Sequence, residues 1–163
     1  MKISIFTDAS CIGNSSGFAF YIGCTAGKIQ KAGKLKTETG NISIAEMHCL
    51  ANALHTLKFC KFKPVTSVNV YMDAIVTVDY MNDKSRGFKG DEHKRIQDEV
   101  FFLMLDICIA NGHPIRSVNK IFQYHHIRAH TGNKDKLSLI NNWCDVNAKK
   151  YATIKTKKSK QKP

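Results

Sequence analysis

Apolar side chains open the chain with a period near two. Ile3, Ile5 and Phe6 within residues 2–8 predict a strand. Cys11-Ile12-Gly13-Asn14-Ser15-Ser16-Gly17 is rich in Gly, Asn and Ser and predicts a turn. Residues 17–24 and about 28–37 predict two further strands, and Ala26-Gly27 between them suits a hairpin, so the first three strands form an antiparallel meander. The period then lengthens. Ile44, Met47, Leu50, Ala51, Leu54 and Leu57 recur at helical spacing and predict an amphipathic helix over 44–60, with Pro64 past its end. Val65 to Met72 is β-rich again, and a short helix follows at about 74–82. After the basic loop from Lys84 to Gly90, Ile96, Val100, Leu103 and Ile107 mark one face of a helix over about 91–110, stopped by Gly112 and Pro114. Val118 to Ala129 contains a strand, and Leu137, Ile140, Cys144 and Ala148 predict a last helix over about 137–153. The predicted order is βββ-α-β-α-α-β-α, an α/β chain without an internal repeat.

A length of 163 residues fits one domain, residues 1–153, followed by a basic tail at 154–163. From Lys149 to the end there are seven lysines and no acid, which predicts a disordered tail. No apolar run approaches the roughly 20 residues of a membrane helix, and the start of the chain lacks a signal-peptide pattern. The expectation is a cytoplasmic protein that is a monomer and does not engage a membrane. The net charge of +12 changes the picture more, because it points to a polyanionic partner, with solubility alone as the plain alternative. The six cysteines contain no C-x-x-C pair, so free thiols are expected rather than a zinc site or disulfides.

Four acids stand in distinctive settings: Asp8 and Asp73 end β-rich apolar runs, and Glu46 and Asp145 lie in helical stretches. Each has an ordinary explanation. Asp8-Ala9-Ser10 reads as an Asx turn, and Ser43-Ile44-Ala45-Glu46 matches a capping box with Ser43 as the cap. Asp73 reads as the N-cap of the following helix, and Asp145 as a solvated acid facing lysines. Brought to one point, four carboxylates repel unless cations join them, so the site would want hard divalent metal. Asp79, Asp83 and Asp135 are neighbouring competitors, and His130 in the loop-like Ala129-His130-Thr131-Gly132-Asn133 competes with His125 and His126.

Thr7-Asp8-Ala9-Ser10, Ala45-Glu46-Met47-His48, Met72-Asp73-Ala74, Ala129-His130-Thr131-Gly132-Asn133 and Asn141 to Asp145 resemble, in order, the motifs of type 1 ribonuclease H. Ala9 and Ala74 stand where the family commonly has Gly and Ser, and Ile75 where a polar contact is common. The interval from His130 to Asp145 is longer than usual, and the region after Asp83 is shorter than the basic handle of some members. The resemblance implies a ribonuclease H-like fold, a five-stranded mixed sheet of three antiparallel strands then two parallel, flanked by helices. It implies hydrolysis of the RNA strand of RNA–DNA hybrids, leaving 5′-phosphate and 3′-hydroxyl ends. Two Mg²⁺ ions, with Mn²⁺ as a possible substitute, would be held by Asp8, Glu46, Asp73 and Asp145. His130 would activate water or release product. Backbone groups at Ala9, Ser10 and Cys11 would meet the 2′-hydroxyl, Asn14 and Asn41 would touch the strands, and Arg86, Lys89, Arg128 and the terminal lysines would hold phosphate. Besides the option that the chain is a detached piece of a reverse transcriptase, two rival readings remain. One is a basic nucleic-acid-binding module without catalysis. The other is a different nuclease on the same fold, resolvase-like, transposase-like or exonucleolytic, although an exonuclease would want Asp-x-Glu where Ser10 stands.

Overall fold

A computed structural model describes residues 1–37, 39–82, 90–127 and 135–154. The sheet is built from β1 (Lys2–Ile12), β2 (Ser15–Cys24), β3 (Gly27–Lys34), β4 (Ser67–Met72) and β5 (Phe122–His126). Its order is β3-β2-β1-β4-β5. The β1–β2 and β2–β3 pairs are antiparallel, and the β1–β4 and β4–β5 pairs are parallel, which is the expected mixed arrangement.

The helices are α1 (Ile42–Phe59), α2 (Ile75–Met81), α3 (Asp91–Ala110), α4 (Val118–Ile121) and α5 (Lys136–Thr153), with a 3₁₀ turn at Ile115–Ser117. Strand alternation sorts the side chains onto two faces. Ile3 and Ile5 join Leu50, Leu54, Val100 and Ile107 in the main core with α1 and α3. Phe6 and Ala19, on the other face, close a smaller core with Cys144 and Ala148 of α5. The molecule is therefore three layers, with β1 in the middle of the sheet.

The structure departs from the sequence reading in four places. β1 does not stop at Asp8 but continues to Ile12, pairing Cys11 with Ser16 and Ile12 with Ser15. The turn shrinks to Gly13-Asn14, where Gly13 adopts φ +58°, the positive region that tight hairpin turns require. α1 is not half-exposed: α3 covers the side that the sheet leaves open, so ten of its residues are buried. Asn41, rather than Ser43, caps α1, its Oδ1 accepting from the backbone N–H groups of Ser43 and Ile44. The strand expected within Val118–Ala129 is β5, but Ile121, expected in it, instead ends the helical turn Val118–Ile121; Val118 and Ile121, three apart, are both buried, and four residues cannot separate the two periods.

α5 lies unusually close to β2. A Cβ on Gly17 would fall 2.1 Å from the carbonyl oxygen of Ala148 and 2.5 Å from the nitrogen of Ala152, so only hydrogen fits there. Ser15 Oγ donates to the Ala152 carbonyl at 2.9 Å and holds the same junction. All six cysteines are free thiols, as expected. Among the described residues, no helix is long and apolar enough to cross a membrane.

Candidate active site

The parallel pairing of β1 with β4 ends at Thr7 and Met72, while the antiparallel pairing with β2 runs on to Ile12. The sheet thus has a step, and the next residue on each parallel strand is an acid, Asp8 beside Asp73. They lie on the face of Phe6 and Tyr71, whose rings stack at 4.7 Å. Glu46 arrives from the opposite layer, on the first half of α1. Its Oε1 accepts from the backbone N–H of Ala9 at 2.9 Å, so it is tied to β1 and does not close a capping box. Asp145 comes from α5. All four acids line one recess of about 530 Å³ together with Lys149, and Ile75 and Val76 form part of its exposed apolar lip.

One carboxylate oxygen from each of Asp8, Glu46 and Asp73 lies within 4.8 Å of the others; Asp145 is not part of that tighter set. Asp8 is 4% and Glu46 2% exposed. Burial, with the charges of Asp73 and Asp145 next, pushes the Asp8 carboxyl up to about 8. Burial and then the Asp8 charge push Glu46 well above the carboxylate range, only partly offset by the Ala9 N–H. Asp8 Oδ2 and Glu46 Oε2 are buried without a hydrogen-bond partner. Buried, unpartnered oxygens at the meeting point of three acids fit a hard divalent cation of the Mg²⁺ or Mn²⁺ kind, which takes oxygen ligands and cancels the repulsion.

Of the competing acids, Asp79 lies on α2 and is not among the residues lining the recess. Asp135 is the N-cap of α5, accepting from Ser138 N at 3.0 Å and Ser138 Oγ at 2.8 Å. Ala74, and not Asp73, occupies the N-cap position of α2. Asp145 keeps part of its ordinary reading, because Lys149 one turn on pairs with it at 2.7 Å. His125 Nε2 meets Asn69 Oδ1 at 2.9 Å, and His126 Nε2 meets the Asp73 carbonyl at 3.1 Å. Of the predicted nucleic-acid contacts, Ala9, Ser10 and Cys11 follow Asp8 on β1, and Ala9 has already committed its N–H to Glu46. Asn14 is exposed in the β1–β2 turn, which packs against Gly40, the residue before Asn41. Arg86, Lys89, Arg128, His130, Asp83 and residues 155–163 of the predicted tail lie outside the described residues.

A family model for RNase H matches residues 1–153. The chain belongs to the ribonuclease H family. It is therefore a ribonuclease by family, and solved ribonucleases H share its fold. The N-terminal ribonuclease H domain of a Mycobacterium tuberculosis protein superposes with a TM-score of 0.66 at 16% identity, over 93% of each chain. LC11 ribonuclease H1, isolated from compost and solved in complex with an RNA/DNA hybrid, gives 0.64 at 19% identity, over 91% of this chain and 97% of that one. Ribonuclease H1 of the halophilic archaeon Halobacterium salinarum gives 0.61 at 13% identity, over 93% and 97%. No curated protein sequence matches this ribonuclease H significantly.

One residue of the recess, Lys149, and one that touches the main chain beside it, His126, escaped the sequence reading as site residues. Lys149 was legible in principle, because it stands four residues after Asp145 on a helix, but it opens a lysine run and reads as part of it. His126 touches the Asp73 carbonyl across 53 residues of chain, and nothing in the sequence signals that contact.

Proposed function

We propose that residues 1–153 form a catalytic domain that hydrolyses the RNA strand of RNA–DNA hybrids, leaving 5′-phosphate and 3′-hydroxyl ends. The observation that carries this reading is the convergence of Asp8, Glu46 and Asp73 at the sheet step, with Asp8 Oδ2 and Glu46 Oε2 buried and unpartnered. The hybrid in the LC11 complex supports the choice of substrate. Asp8, Glu46, Asp73 and Asp145 would hold two Mg²⁺ ions, with Mn²⁺ as a substitute. Bound there, divalent cations acidify an attacking water and neutralise the charge that grows on the leaving 3′ oxygen.

The chain's own groups do the rest. Glu46 is held by the Ala9 N–H, so its second oxygen points into the recess without loss of orientation. Backbone atoms of Ser10 and Cys11, which follow Asp8 and Ala9 on β1, would meet a 2′-hydroxyl, the group that separates RNA from DNA. Asn14 and Asn41 would touch the strands, while Arg86, Lys89, Arg128 and the terminal lysines would hold phosphate without reading bases. His130 would carry a proton to or from the reacting water or assist product release. A cytoplasmic, monomeric protein is the simplest setting for this activity.

The deciding experiment incubates the protein and Asp73→Asn with Mg²⁺ and end-labelled RNA–DNA hybrid, beside single-stranded RNA, double-stranded RNA and duplex DNA. The expected result is cutting of the RNA strand of the hybrid alone, lost with EDTA and in the variant. Binding of every substrate without cutting would leave a basic binding module. Cutting of DNA would move the assignment to another nuclease on this fold.

A further inference from the structure

Three of the four carboxylates converge without the fourth. Asp8, Glu46 and Asp73 offer oxygens within 4.8 Å of one another, whereas Asp145 is engaged elsewhere. The ammonium of Lys149 lies 2.7 Å from Asp145 Oδ1 and 2.8 Å from Oδ2, so it straddles both oxygens of that carboxylate. The pair is not a loose surface bridge at its acidic end, because the Asp145 side chain is only 14% exposed, against 55% for Lys149. Lys149 also lines the same recess as the other three acids. The helix enforces the arrangement, since residues four apart on α5 share a face.

A cation at the three-carboxylate point takes neither oxygen of Asp145, although the charges of Asp145 and Lys149 both reach Asp8. A second cation that needs Asp145 cannot bind without disturbing this pair, because an ammonium and a divalent ion compete for the same two oxygens and repel each other in one recess. We propose that Lys149 is a positioning residue that competes for Asp145, splitting divalent-cation binding into a tighter first event and a weaker second one, and so sets the metal concentration at which the site becomes complete. The inference rests on the metal-dependent reading above, and it deepens that reading by giving the two cation positions unequal affinity. Because Lys149 is mostly exposed and half of its packing is solvent, replacing it does not open the core.

The test is calorimetric titration of the full chain with Mg²⁺, and separately with Mn²⁺, at fixed ionic strength and without nucleic acid. Lys149→Gln should tighten the second binding event by about three- to tenfold, the range one partly screened charge supplies, and tighten the first by clearly less. Lys149→Arg, which keeps the charge, should titrate like the original chain. A Lys149→Gln protein whose second event is no tighter, or whose two events tighten alike, overturns the inference while the first event leaves the functional reading standing. Lys149→Arg behaving like Lys149→Gln overturns it too, since charge would not be the cause. An original chain that takes up no divalent cation at all removes the functional reading and the inference together.

Discussion

The backbone N–H of Ala9 donates to Oε1 of Glu46 at 2.9 Å, joining the middle strand to α1 at the point where the acids meet. That bond gives Glu46 two separable duties, an acceptor for the strand and a charge for the recess. Glu46→Gln keeps an acceptor for Ala9 but removes the charge. In EDTA it should melt no lower than the original chain, while hydrolysis falls by about 100-fold or more, the scale of losing one preorganised charged group. Glu46→Ala also orphans the N–H and should lose a further ~1–3 kcal/mol in denaturant titrations. Equal stability of the two variants would refute the separation.

The Asp8 carboxyl is raised to about 8 from an ordinary 3.8. A folded-state value above the unfolded one means that the folded chain binds the extra proton. Metal-free protein should therefore be most stable at the acid end of this window and lose stability as pH rises from about 4 toward 8. Thermal melting in EDTA across that range checks the sign. Asp8→Asn should flatten the trend, and Mg²⁺ should reverse it and release protons below pH 8, seen as buffer-dependent heats.

Gly17 has no room for a methyl group against the α5 backbone. Gly17→Ala should cost about 1–3 kcal/mol, the range for overpacking a tight contact, because the obstacle is main chain and cannot rotate away. Its activity at temperatures well below melting should drop as well, because α5 carries Asp145. A variant that loses stability but keeps full turnover would show that Asp145 tolerates a shift of its helix.

Residues 155–163 contain five lysines and no acid. If they hold phosphate, a chain ending at Ile154 should bind hybrid more weakly at low salt. The slope of log affinity against log salt should fall by about 0.9 for each duplex phosphate released. The turnover rate at saturating substrate should stay unchanged. An unaltered slope would remove the tail from the interface.

How much of this was legible in the sequence depends on whether a signal was local. Asp8, Glu46, Asp73 and Asp145 each stood in a short motif, and the order of elements told which strands and helices would carry them. The antiparallel meander was legible from its turn residues, whereas the mixed sheet came from the family resemblance and the strand order only from the structure. What failed was competition between nearby candidates. Ser43 looked like a cap because Glu46 follows three residues later, yet Asn41 took the position and freed Glu46 for Ala9. The burial of α1 was invisible because it depends on α3, which begins 49 residues after α1 begins (91 − 42), covering its outer side. Contacts such as His126 with the Asp73 carbonyl exist only once β5 lies beside β4.

The acids come from three layers: Glu46 from α1, Asp8 and Asp73 from the sheet, and Asp145 from α5. Cutting, on the proposed mechanism, needs both helical layers docked on the same sheet. A chain with either helix undocked would lack part of the carboxylate set, so the proposed chemistry belongs to the finished three-layer fold and to no single element of it.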